Sequence, residues 1–297
     1  MALRNSTDRQ RPTEHWATIG ELRVRYLDWG GDGEPVMLMH GLASSAHWYE
    51  LVASHLRHKY RLFAADARGH GQTTQAPGGY DWQTLAADGV GLMDHLGVSR
   101  AAVFGHSWGA TAALNVAARF PDRVTALGLI DGGVGRRVGP REPWEVVKAQ
   151  ARPRDVSGTR QQFLDRLRFQ LSLCWNDEIE RIVQTMVYED QEGQIQDILR
   201  PENHLQVMHA MWEEPASVSY SRITCPTVII PAGPTPDRAD SERARRKEAG
   251  VAAAEEAIPG CRVRWIPETV HDIGYHKPEE LARVMDDFLS GIYRSTA

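Results

Sequence analysis

The stretch that most constrains this chain is Ala101-Ala-Val-Phe-Gly-His-Ser107-Trp-Gly-Ala110. A short apolar, β-prone run ends at Gly105 and a helix-forming run from Ala110 to Ala118 begins just after Gly109, so Ser107 is predicted where a strand turns into a helix. A serine placed there within Gly-x-Ser-x-Gly must hold a strained backbone to stand its hydroxyl clear of the turn. Small residues two places to either side are what let strand and helix approach so closely. The helix start also directs N–H groups and a positive dipole end at the hydroxyl. In this context the pattern predicts a nucleophile at Ser107 rather than a structural turn.

Around this stretch, strands and helices alternate. After a polar stretch to about Glu14, expected to be loose, Trp16 to Ile19 and Leu22 to Trp29 read as two strands joined near Gly20. Pro35 to His40 and Tyr60 to Ala65 are continuous apolar runs of the kind buried on both faces of a parallel sheet. Val124 to Ile130, Thr227 to Ile230 and Arg262 to Ile266 complete the strands. Helices are predicted through Trp48 to Leu56, Trp82 to Leu96, Ser241 to Ala257 and Pro278 to Leu289. From Pro140 to Ser221 the alternation stops, and the segment reads as an all-helical, polar insertion with amphipathic spacing at Phe163, Leu164, Leu167 and Leu171. The prediction is a parallel α/β sheet carrying a lid, with a ligand site where the loops after the strands converge.

A serine hydroxyl needs a base. His271, directly after the last strand and before the closing helix, is the best placed of 12 histidines, with His276 its near rival. The third member must be a carboxylate at another strand end. Asp237, after the Thr227–Ile230 strand, is the favoured reading, Asp131, directly after Val124–Ile130, is the alternative, and Asp240 is a more remote one. Oxyanion donors are expected from the backbone N–H groups of Trp108, at the helix start, and Leu42, after His40-Gly41.

A net charge of −5 with both signs interspersed gives no reason to expect nucleic acid or an anionic membrane as partner. Cys174, Cys225 and Cys261 lack the spacing of a disulfide framework or thiolate zinc site. No apolar run reaches the ~18 residues of a membrane span. These features lead to an expected cytoplasmic protein, monomer or homodimer, using neither metal nor organic cofactor.

Taken together, His40-Gly41, Asp66-Ala-Arg68-Gly69-His70-Gly71, Gly105-His106-Ser107-Trp108-Gly109 and the downstream His271 resemble the α/β-hydrolase superfamily with a helical cap. The likeness runs from about Trp16 to Leu289. It implies an eight-stranded, mostly parallel sheet flanked by helices, a Ser-His-Asp triad, a core domain of residues 15–134 and 224–293, and a cap of residues 135–223. It also implies a structural role for Asp66 to Gly71. Two features depart from the usual pattern. The loop after the seventh strand commonly runs Gly-x-x-Asp, but the position three after Gly233 is Pro236. Asp237 also lies 34 positions before His271, a little more than usual, while Asp131 follows Ser107 by 24, the spacing of relatives that keep their acid after the sixth strand.

A serine at the elbow points to acyl transfer to water, since halide-displacing and epoxide-opening relatives use aspartate there. The expected substrate is a small, largely apolar carboxylic ester or related acyl compound. A C–C bond hydrolase and a haloperoxidase-like perhydrolase are alternatives on the same fold, and a slow-turnover ligand receptor is one from another class. His40, Trp48, Trp144, Trp175 and Trp212 are candidate pocket residues, the tryptophans alternatively packing the cap. Arg136, Arg137 and Arg141 either hold a substrate carboxylate or form a solvated face.

Overall fold

The computed structural model describes residues 11–135 and 142–294; Arg136, Arg137 and Arg141 lie outside the described residues. Strands β1 (Thr13–Ile19), β2 (Leu22–Gly30), β3 (Pro35–Met39), β4 (Arg61–Ala65), β5 (Ala101–His106) and β6 (Val124–Ile130) precede the insertion. Helices α1 (Glu50–Leu56), α2 (Trp82–His95) and α3 (Trp108–Arg119) connect them. After the insertion come β9 (Thr227–Ile230), α8 (Glu242–Ala257), β10 (Arg262–Val263), α9 (Ile273–His276) and α10 (Pro278–Tyr293). The eight strands form one sheet in the order β1-β2-β4-β3-β5-β6-β9-β10. Only the pairings β1–β2 and β2–β4 are antiparallel.

The pleat divides the apolar residues of each strand between two cores. Val36, Leu38, Ala102 and Phe104 face α1 and α10, where Leu51, Val52, Leu281, Met285 and Leu289 are buried. Met37, Val103, Leu127 and Ile229 face α2, α3 and α8. Burial on both faces is why these strands read as unbroken apolar runs. The Asp66 to Gly71 segment ties β2 to the loop after β3. Arg25, 1% exposed, donates from Nε to Asp66 Oδ2 at 2.7 Å, and Asp66 also accepts the amides of Ala46 and Gln72, each at 2.8 Å.

Two predicted boundaries shift. β1 begins at Thr13 rather than Trp16, because Thr13 already pairs with Asp28 and its Oγ1 donates to the Asp28 carbonyl at 3.1 Å. The last strand is cut to Arg262–Val263, although Ile266 still exchanges backbone hydrogen bonds with Pro231 and Gly233 at 3.0 and 2.8 Å.

The insertion carries α4 (Trp144–Gln150), α5 (Arg160–Gln170), α6 (Asp177–Val183) and α7 (Pro201–Glu213), but it is not all-helical. β7 (Val187–Glu189) and β8 (Ile195–Asp197) form an antiparallel hairpin between α6 and α7. Asp190 closes its turn by accepting the amides of Glu192 and Gln194. Three-residue strands are too short to show alternation in the sequence. The insertion rests on the loops at the carboxyl ends of the strands. Thr185 meets Ser45 at 2.6 Å, Arg181 pairs with Glu50 at 2.5 Å, and the Glu214 carbonyl accepts from Trp82 Nε1 at 2.8 Å.

Candidate active site

Ser107 sits between β5 and α3 at φ 56°, ψ −119°, a region that costs a non-glycine residue about 1–3 kcal/mol. A Cβ at Gly105 would stand 2.0 Å from the Gly109 carbonyl oxygen, and one at Gly109 would stand 2.3 Å from that of His40. Larger residues would therefore force strand and helix apart and undo the bend. The Ser107 amide continues the β5–β6 ladder by donating to the Ile130 carbonyl at 2.9 Å.

His271 comes down onto this bend from the loop after β10. Its Nε2 lies 2.9 Å from Ser107 Oγ and its Nδ1 lies 2.6 Å from Asp131 Oδ2. With the proton on Nδ1 facing the carboxylate, Nε2 is left to accept from the hydroxyl. Asp131 is at φ 41° with its side chain 3% exposed, and its Oδ1 accepts the Ala232 amide at 2.9 Å and Lys247 Nζ at 2.7 Å. Burial works to raise the Asp131 pKa, but the His271 hydrogen bond and the Lys247 charge outweigh it and draw the carboxyl down to about 2.

The structure brings Asp131, and not the favoured Asp237, to His271. Asp237 lies in a single turn, Pro236–Arg238, with its carboxylate 73% exposed and paired only loosely with Arg238 at 3.7 Å. The chain leaving β9 stays paired with Ile266 through Ala232 and Gly233, so the residues that follow carry Asp237 outward. β6, by contrast, is the direct neighbour of β5, which sets Asp131 one strand from Ser107. Asp240 is exposed as well. His276 is turned to Thr269, its Nδ1 3.0 Å from Oγ1.

The Trp108 amide is the first of α3, where N–H groups have no partner within the helix. Among the described residues neither it nor the Leu42 amide is hydrogen-bonded to a backbone or side-chain acceptor. His40 braces this loop. It is 1% exposed, donates from Nδ1 to the Gly41 carbonyl at 2.8 Å and accepts at Nε2 from the Ala67 amide at 3.0 Å. Burial lowers its pKa, in keeping with this neutral form.

Trp48 is packed within the loop cluster behind the elbow. It is 1% exposed, stacks on His106 with ring centroids 4.0 Å apart, and donates from Nε1 to Asp272 at 2.9 Å. His106 in turn donates from Nε2 to the His271 carbonyl at 3.0 Å. Trp144 and Trp212 pack on each other and on His209. Trp175 lies half-buried against the larger core, with the Arg168 guanidinium 5.7 Å over its ring.

Sequence reasoning passed over Lys247, His106 and Asp272. Lys247 sits in the charged run Arg238 to Glu248, and its partner is 116 positions away, so no local pattern marks it. Among the described residues no helix is long and apolar enough to cross a membrane, no group of three or more His, Cys, Asp or Glu side chains is arranged to hold a metal ion, and the three cysteines are unpaired.

An eight-stranded, mostly parallel sheet with a strained serine elbow, a facing histidine and a buried carboxylate defines the class. Residues 34–202 match the model of the alpha/beta hydrolase fold family, and the chain belongs to that family. It is 36% identical over 121 residues to a soluble epoxide hydrolase of Corynebacterium, covering 40% of this chain and 41% of that protein. To a bifunctional esterase/perhydrolase of Acinetobacter calcoaceticus it is 31% identical over 150 residues, half of each chain. The chain spans between about a third and a half of the length of the curated relatives it matches. The fold is similar to that of E-2-(acetamidomethylene)succinate hydrolase, with a TM-score of 0.77 at 20% identity over 94% of this chain and 99% of that one.

Proposed function

We propose that the protein is a serine hydrolase that cleaves a small, largely apolar carboxylic ester or related acyl compound through an acyl-enzyme. The observation that carries this reading is the unbroken line Ser107 Oγ–His271 Nε2 at 2.9 Å and His271 Nδ1–Asp131 Oδ2 at 2.6 Å. In the proposed cycle Ser107 attacks the acyl carbon while His271 takes its proton. The Trp108 and Leu42 amides receive the developing oxyanion, and His271 returns the proton to the leaving group. Asp131 keeps the imidazole in the productive tautomer and stabilises its charged form. Water then enters by the same path and releases the acid. A hydroxyl nucleophile suits acyl transfer, whereas opening an epoxide through a covalent ester needs a carboxylate at the elbow. A relative named as an esterase/perhydrolase agrees with this choice.

Under this reading no metal or organic cofactor takes part. A fluorophosphonate probe should label Ser107 in the wild-type protein, and a panel of p-nitrophenyl esters of increasing acyl length should show turnover that Ser107→Ala abolishes. Labelling without turnover on esters, lactones or amides would instead indicate a receptor, and no labelling would remove Ser107 as nucleophile.

A further inference from the structure

Lys247 belongs to α8, yet its ammonium is turned back onto the loops at the carboxyl ends of β6 and β9. It donates to Asp131 Oδ1 at 2.7 Å and to the Ala232 carbonyl at 3.0 Å, while the other Asp131 oxygen faces His271 Nδ1. The Lys247 side chain is 23% exposed and that of Asp131 only 3%. One buried carboxylate is thus shared between an ammonium and the imidazole opposite Ser107.

We propose that Lys247 is a positioning residue that holds Asp131 in the orientation facing His271 and, through that carboxylate, lowers the pH at which the hydrolytic base becomes available. The inference rests on the Ser107–His271–Asp131 reading above. Its first part is geometric. Lys247 and the Ala232 amide together occupy Oδ1, which leaves Oδ2 for the imidazole. Its second part is electrostatic. An aspartate favours the charged imidazole, and an ammonium on the same carboxylate, whose side chain is 3% exposed, offsets that attraction.

The charged and titratable groups that face the pair, among the described residues, come from three elements. Lys247 comes from α8. His106 comes from β5, its ring centroid 4.8 Å from that of His271, and burial followed by the His271 charge lowers it to about 4, so it is neutral in the working range. Asp272, in the same loop as His271, is held by Trp48. Lys247 is the cation directly on the Asp131 carboxylate.

The test compares kcat/KM across about pH 4.5 to about pH 9 for the full chain and for Lys247→Met, Lys247→Ala and Lys247→Arg. The substrate is a p-nitrophenyl ester read at the nitrophenol isosbestic wavelength, and thermal midpoints are recorded alongside. The acidic limb of the profile should move to higher pH by ~0.5–1 unit in Lys247→Met and Lys247→Ala, with Lys247→Arg restoring it. A limb that coincides with wild type in a folded uncharged variant overturns the inference, even if rate or thermal midpoint falls, because only a structural role then remains. Failure of both uncharged variants to fold overturns it for the same reason. Ser107-dependent turnover in the wild-type protein together with unmoved limbs in the Lys247 variants defeats the Lys247 inference alone. A wild-type protein whose Ser107 resists a fluorophosphonate defeats the triad reading and this inference together.

Discussion

His106 donates its Nε2–H to the carbonyl oxygen of His271 at 3.0 Å, so the residue before the elbow serine holds the backbone of the residue that faces that serine. Trp48 covers the other side of this contact by stacking on His106 and hydrogen-bonding Asp272. Segments far apart in the chain are thereby tied at the point where Nε2 must meet Oγ. A shift of about 1 Å there is enough to cost on the order of 10²-fold in rate.

Trp48→Phe keeps a ring on His106 but removes the donor to Asp272. It should cost about 1 kcal/mol of stability and lower kcat roughly 3–10-fold with KM little changed, because the loop carrying His271 loosens while the substrate contacts stay. Steady-state kinetics with a p-nitrophenyl ester and a denaturant titration measure the two effects. A rise in KM at constant kcat would return Trp48 to the pocket wall.

Asp131→Asn leaves the shape of the site but permits the wrong tautomer of His271, and should cost on the order of 10³–10⁴ in kcat. Asp237→Asn alters an exposed carboxylate and should leave kcat within about twofold of wild type. Parallel assays of the two variants decide between the two strand ends.

Ser107 is held at φ 56°, which alanine tolerates no better than serine and glycine tolerates freely. Ser107→Gly should therefore be more stable than Ser107→Ala by about 1 kcal/mol, glycine's extra freedom in the unfolded chain offsetting part of the relieved strain. Both variants should be inactive. Equal denaturant midpoints would mean that the elbow stores no strain.

Two buried histidines should make the protein acid-sensitive. Burial, then the neighbouring His40, lowers His70 from 6.5 to about 3, and His106 is lowered to about 4. The unfolded chain takes up protons below its ordinary histidine pKa while these two stay neutral in the fold. Stability is thus fully present above about pH 6.5 and declines as pH falls toward 4, by about 1.4 kcal/mol per unit for each. His70→Asn, which can still donate to the Arg68 carbonyl as His70 Nδ1 does, should remove about one proton from that slope in denaturation experiments between about pH 4 and about pH 6. Asp131 acts in a lower window. Its contribution is present above 3.8 and is lost as pH falls toward 2.

Much of this molecule is legible locally. The unbroken apolar runs, the small residues flanking Ser107 and the amphipathic face of α10 are patterns within about 15 residues, because burial on a strand or helix face repeats with the period of that element. The β7–β8 hairpin escapes such reading because three residues are too few to show a period. Trp48 and His40 escape it because an aromatic or imidazole side chain looks the same in sequence whether it lines a pocket or braces a loop. Here both side chains are buried and their polar atoms are hydrogen-bonded to loops.

What the sequence by itself determined is the elbow, the alternation of strands and helices, and a histidine delivered after the last strand. Only the tertiary structure decided which carboxylate that histidine meets, and that Lys247 shares it. Asp131 and Asp237 both follow a strand and both precede His271, so nothing local separates them. The order of strands in the sheet does separate them, since β6 lies against β5 while the loop after β9 is drawn aside by its pairing with Ile266. That order is set by pairings between strands distant in the chain, up to the 100 positions that separate Ile130 from its partner Ile230.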